Sequence, residues 1–278
     1  MTPARPTTWK LSITLAFFRW PRAQLFRYTV SVQRRGTQVV RERSAKPLYV
    51  GSIPTRASKF SPLASRMKSI ALKKSSATRL LRIRRLRRAE LPVNTVALAR
   101  FLIGKTLVRE TPSGRISGRI VEVEAYVPGD AAAHSFRGPT PANRSLFLRR
   151  GHAYVYFAYG SSFMMNVSAE TDGIGGGVLI RALEPLEGLA LMRRHRQTEN
   201  LFDLTRGPGR LACAMQIDKR YDGIDLCAPG PLWLGAAVKP AGTIGQSVRI
   251  GISREIARVL RFYERGNPNV SGPKRLST

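Results

Sequence analysis

The stretch "RIVEVEAYVPGDAAAHSFRG" runs from Arg119 to Gly138. Side chains alternate sides in an extended chain, so Val121, Val123 and Ala125 share one face and Glu122, Glu124 and Tyr126 the other. This period of two reads as a β-strand whose apolar face is turned to a core. A loop rich in Gly, Pro and Ala follows, from Pro128 to about Asn143, and it contains His134, one of three histidines in the chain. An acidic and aromatic strand face is either a site wall or an ordinary charged sheet edge. Spacing alone leaves the two equally open.

The neighbouring segments set this strand in a mixed fold. "NTVALARFLIG" reads as a helix capped by Asn94 or Thr95, with Val96, Leu98, Ala99, Phe101 and Leu102 on its apolar face and Gly104 as its stop. "KTLVRE" reads as a strand and "TPSG" as a turn before the next strand, "RISGRIVEVEAYV". "HAYVYFAYG" and "FMMNVSAE" are two strands around a Gly-Ser turn, and "GGGVLIRAL" is another. "EPLEGLALMRRHRQ" predicts a helix with Pro185 in its first turn, and "TRGPGRLACAMQI" a tight turn opening a further helix. "GPLWLG", "SVRIGIS" and "LRFYERG" read as late strands. Helices and strands mix without βαβ regularity, which predicts an α+β fold, a single mixed domain around a mostly antiparallel sheet.

Charge divides the 278-residue chain. It holds 47 Lys and Arg against 17 Asp and Glu, a formal charge of +30. Of these, 22 basic residues and one acid, Glu42, fall in residues 1–89, leaving 25 and 16 for the rest. The domain reading is therefore a basic, irregular extension over 1–90, a folded domain over 91–272 and a short tail over 273–278. The extension is read as a non-specific DNA-binding tail, a targeting segment, or a start placed too early, with Met67 a later candidate; tail or early start is favoured. "RLLRIRRLRRAE" (Arg79–Glu90) closes it as a basic helix. "LSITLAFF" (Leu11–Phe18) is too short to span a bilayer.

Such a charge points to a polyanionic partner, nucleic acid or an anionic membrane surface, but supplies no chemistry. Two cysteines, Cys213 and Cys227, are too few for a disulfide scaffold and favour a reduced, intracellular setting. His134, His152 and His195 are scattered without metal-ligand spacing, and neither a Ser-His-Asp nor a Cys-His pattern stands out. "GIGGG" (Gly173–Gly177) lacks the strand-then-helix context of a nucleotide loop.

Two further groups carry candidate chemistry. Tyr154 and Tyr156 share a strand face and Tyr159 sits at the following turn; packing is the common fate of one tyrosine, but four with Tyr126, beside His134 in a basic protein, favour base stacking. "TRGPGRL" places glycines before a helix, a phosphate-binding arrangement to which Arg206, Arg210 and Lys219 could add charge; a plain turn with surface cations is at least as good a reading.

"RIVEVEAY", "AAHS", "TPANRSLF", "AYVYFAYG", "FMMNV" and "LIRALEPLEG", in this order, resemble the alkyladenine (3-methyladenine) DNA glycosylase family over about Leu91–Val270. The resemblance implies a single mixed domain around a curved antiparallel sheet and hydrolysis of the N-glycosidic bond of alkylated or deaminated purines in duplex DNA. It implies no metal or cofactor, and a monomer. It assigns Glu124 as general base on water and Arg181 beside the water and sugar-phosphate. Tyr126 and Tyr156 stack on the flipped base, His134 contacts its edge, and Asn166 crowds a guanine 2-amino group. Tyr159 is the wedge left in the duplex. Glu122 is then a structural partner of an arginine, and the absence of lysine from these blocks argues against a lyase step. "GSSF" after the wedge departs from the family, which places a bulkier apolar residue there, and the loop "VPGDAAAHS" is a second point of departure, in length.

The chemistry is consistent with that assignment. A base in a duplex must be flipped to be reached. The sugar becomes cationic as the bond breaks, so a carboxylate beside a polyanion has a task. Two rivals remain: a basic nucleic-acid-binding protein without catalysis, and a carbohydrate hydrolase using Glu122 and Glu124, whose same-face strand positions lie about 6–7 Å apart.

Overall fold

The computed structural model describes residues 81–274 and, before them, three strand backbones. The chain divides into two units, Met1–Lys74 and Ser75–Thr278. In the first, β1 (Thr8–Phe17), β2 (Gln24–Arg35) and β3 (Gln38–Pro47) pair antiparallel in that order. The expected irregular basic extension otherwise lies outside the described residues.

The second unit carries α1 (Thr95–Leu102), β4 (Thr106–Thr111), β5 (Gly114–Tyr126), β6 (Ala153–Ala158), β7 (Ser162–Ser168), β8 (Gly177–Glu187), α2 (Leu189–Arg196), α3 (Pro208–Ala214), β9 (Leu232–Gly235), β10 (Ile244–Ser247) and β11 (Arg261–Glu264). Its eight strands form one sheet in the order β10-β11-β5-β8-β7-β6, with β4 pairing β5 and β9. Every pair is antiparallel, as the α+β reading requires. Asn94 caps α1 by accepting from the Val96 and Ala97 amides at 3.0 and 3.1 Å. Among the described residues no helix is long and apolar enough to cross a membrane.

β5 is the central strand. Ile120, Val123 and Ala125 enter the main core with Leu98, Leu102, Ile180 and Leu211. Val121 instead packs with Ala182, Tyr263 and Val270 in a separate cluster. The simple alternation fails there because the β5–β8 register shifts between Ile120 and Glu122 and again between Glu122 and Val123, the signature of a bulge.

Three other expectations are corrected. Residues 81–87 are extended, with one 3-10 turn at Arg88–Glu90, where a basic helix was expected. Leu86 N donates to Leu234 O at 2.9 Å and Ala236 N to Arg84 O at 2.7 Å, so this segment covers the free edge of β9, and Leu86 is in the core. The folded unit thus begins ahead of Leu91. "EPLE" continues β8 and does not open α2: Glu184 pairs with Arg119, Glu187 accepts from Ser117, and Pro185 lies opposite Gly118 at a register shift. Gly188, at φ +76°, turns the chain into α2. "SVRIGIS" leaves the sheet after Ser247, since Arg249 is drawn into a buried ion pair with Asp130 at 2.5 Å. "GIGGG" is a packing device: a Cβ on Gly175 would come within 2.6 Å of Phe147 and Ser135.

Candidate active site

The end of β5, the 130–134 loop, the β6–β7 hairpin, β8 and the 250–254 loop enclose a cavity of about 800 Å³. That volume suits a nucleobase with its sugar, within the usual range of small-molecule sites. Tyr126, His134, Tyr154, Tyr156, Tyr159, Asn166 and Arg181 all line it, together with Met164 and Leu146.

Glu124 has no exposed surface and lies behind the cavity wall, against Tyr126, Arg181 and Ile250, which line it. Its Oε1 accepts from Ile250 N at 2.7 Å and stands 3.1 Å from Arg181 Nη1; its Oε2 accepts from the Tyr126 hydroxyl at 3.0 Å. Burial raises its pKa, a shift opposed by Arg181, the Ile250 amide and Tyr126. The group is a desolvated carboxylate held by three donors, poised to take a proton.

Glu122 is equally buried but differently surrounded. Its Oε1 accepts from Arg181 Nε at 2.8 Å and Arg261 Nε at 2.7 Å, and its Oε2 from Ser271 N at 2.6 Å. Neither carboxylate lines the cavity itself: all three partners of Glu124 do, whereas of Glu122's partners only Arg181 does. The solvent-edge reading of this strand face is therefore overturned for both carboxylates. Arg181 bridges them, one face of its guanidinium chemistry anchored on Glu122 and the other on Glu124.

The aromatic walls are built by local geometry. Tyr154 and Tyr156 stack at 5.4 Å, and His134 meets Tyr156 edge-on at 4.4 Å. His134 Nδ1 lies 2.9 Å from the Tyr154 hydroxyl. Desolvation among these rings lowers the His134 pKa, which favours a neutral imidazole with Nε2 left for a ligand. Burial pushes the Tyr156 hydroxyl up to about 12, so it stays protonated. Arg249 lies 4.7 Å from the Tyr126 ring centroid and donates to Ala125 O at 3.1 Å. Asn166 Nδ2 reaches Tyr154 O at 3.4 Å.

Tyr159 stands at the hairpin turn with φ +52° and is 81 % exposed; its hydroxyl donates to Gly251 O at 3.2 Å. Of the cations expected to meet phosphates, Arg206 and Arg210 share a second, smaller hollow with Arg181. Arg206 Nε is held by Val270 O and Arg210 pairs with Asp203. Lys219 is elsewhere, on the outer edge of β6, donating to Val155 O and Asp222. Among the described residues no cluster of three or more His, Cys, Asp or Glu is placed to hold a metal ion.

The methylpurine-DNA glycosylase family model matches residues 89–268. The chain belongs to this family. It is thus a DNA glycosylase, a hydrolase of N-glycosyl bonds. A candidate 3-methyladenine DNA glycosylase of Mesorhizobium japonicum is 65% identical over 189 residues, 68% of this chain and 91% of the relative. One of Paraburkholderia phytofirmans is 51% identical over 189 residues, 68% and 89% of the two chains. One of Methanocella arvoryzae is 43% identical over 184 residues, 64% and 90%.

Sequence reasoning missed the 250–254 loop and the Arg249–Asp130 pair beneath Tyr126. Ile250 acts through a backbone amide, which leaves no side-chain signal, and "SVRIGIS" has the alternation of a strand. Asp130 in an apolar loop of an acid-poor protein was the signal available.

Proposed function

We propose that this family member flips alkylated or deaminated purines out of duplex DNA and hydrolyses their N-glycosidic bond without a lyase step, acting as a monomer in base excision repair. The observation that carries the reading is a buried carboxylate, Glu124, held by three residues that line an aromatic cavity, one of them an arginine. Glu124 takes a proton from a water attacking the sugar's anomeric carbon as the purine departs with the bonding electrons. Its negative charge also stabilises the cationic sugar. Arg181 orients the carboxylate and faces the sugar-phosphate.

Tyr126 and Tyr156 sandwich the base, each stacking contact contributing about 1–3 kcal/mol, which offsets the few kcal/mol needed to unstack it. His134 reads the base edge, Asn166 crowds a guanine amino group, and Tyr159 fills the gap in the duplex. Arg206 and Arg210 meet phosphates beside the flipped nucleotide, and Lys219 meets one farther along. The paired-carboxylate sugar hydrolase is disfavoured because Glu122 is closed off by two arginines and an amide.

The test is base release from duplexes containing hypoxanthine or 1,N6-ethenoadenine, and from alkylated DNA, with EDTA present. Release by the wild type, lost in Glu124→Gln while DNA binding persists, supports the reading. Binding without release from any of these substrates overturns it in favour of a non-catalytic DNA-binding protein.

A further inference from the structure

The β6–β7 hairpin has a second aromatic face that the cavity does not use. Tyr154 and Tyr156 line the cavity, and alternation along β6 sends Phe157 to the opposite side. Phe157 is 56 % exposed, and its ring packs against Phe163 with centroids 5.1 Å apart. Tyr159 stands at the tip on the cavity side, and the other turn residues, Gly160 and Ser161, and Ser162 at the start of β7 are small. Phe157 and Phe163 thus form a partly exposed aromatic pair beside the tip, on the side away from the cavity.

Cations bracket the hairpin. Beyond β6, Lys219 donates to Val155 O at 3.0 Å, and Lys219 and Arg220 have side chains 54% and 78% exposed. Beyond β7, α3 approaches so closely that a Cβ on Gly209 would lie 2.8 Å from Ser162, and α3 carries the half-exposed Arg210. Cationic flanks around an aromatic ridge match a duplex, in which two phosphate strands border the bases.

We propose that Phe157 is a second DNA-contacting residue, packing against the strand that keeps its base when the damaged nucleotide leaves. This rests on the cavity receiving the flipped nucleotide. A hairpin entering the duplex separates its strands: the cavity face takes the everted base, and the opposite face meets the base left without a partner. Tyr159 fills the hole, and Phe157 shields the orphaned base. It thereby supplies apolar bulk that Ser161 and Ser162 lack.

The test uses hypoxanthine duplexes with 2-aminopurine either in the intact strand beside the orphaned base or in the damaged strand beside the lesion. Fluorescence is read on binding in a Glu124→Gln background, and kinetics in the otherwise wild-type protein. Phe157→Ala is expected to halve the intact-strand signal or more, keep the damaged-strand signal, and raise KM about tenfold with kcat little changed. Phe157→Leu retains an apolar contact with Phe163 without a flat ring; it should keep Tm and still lose intact-strand signal. Unchanged KM and intact-strand fluorescence in Phe157→Ala would overturn the proposal, as would equal loss on both strands. A wild type that binds but releases no base removes the cavity reading itself, and Phe157's role with it.

Discussion

Around Glu122, β5 is sealed: Arg181, Arg261 and the Ser271 amide occupy its oxygens, and neither Arg261 nor Ser271 lines the cavity. Around Glu124, two residues on, Tyr126 and Ile250 replace the second arginine, and both line the cavity. Both carboxylates are fully buried and both touch Arg181. The difference lies in the compensation each receives. Glu122 is matched by enough positive charge to serve as a structural anchor. Glu124 is left with a raised proton affinity, which is the condition for base chemistry and a cost to the fold.

The largest expected effect tests the Glu124 side. Glu124→Gln should lower single-turnover base release by about 10²–10⁴-fold while DNA affinity stays within a few-fold. An equal loss in a folded Glu122→Gln variant would erase the contrast. Glu122→Gln should instead reduce stability, because it leaves buried arginines short of a counter-charge. Breaking such a pair costs about 3–5 kcal/mol, a Tm drop on the order of 10 °C for a domain of this size, read by thermal melting.

Smaller effects sharpen the comparison. Tyr126→Phe removes a hydrogen bond to ionised Glu124, so its pKa should rise further. The acid limb of the base-release profile should move to higher pH, with about tenfold or less lost at neutral pH. In the wild type that limb should already lie above the ordinary carboxylate range. The smallest effect is on stability. A raised folded-state pKa means that the native protein binds this proton more tightly than the unfolded chain. Stability therefore falls as pH rises from the unfolded carboxylate value through the raised folded one. Glu124→Gln escapes that loss, so its Tm advantage over the wild type should open across this window and be absent below it. A constant Tm difference at all pH values would show that Glu124 is not the group responsible.

Much of this was legible before any coordinates. Period-two alternation marked β5, Asn94 marked the start of α1, and the ordered blocks around Glu124, Tyr156 and Arg181 pointed to the family. These signals are local: alternation, capping and short motifs depend on residues within a few positions of each other. Elements were misread where a distant partner outweighed local preference. Residues 81–87 are extended because β9 offers an unpaired edge, and "EPLE" stays in β8 because Arg119 and Ser117 hold its acids. The two glutamates look alike in sequence, since both are acids on one strand. Only folding brings Arg261 and Ser271 to one, and Ile250 of the cavity wall to the other. The residue types and their strand came from the chain; which carboxylate was neutralised and which was left reactive came from contacts over a hundred residues away.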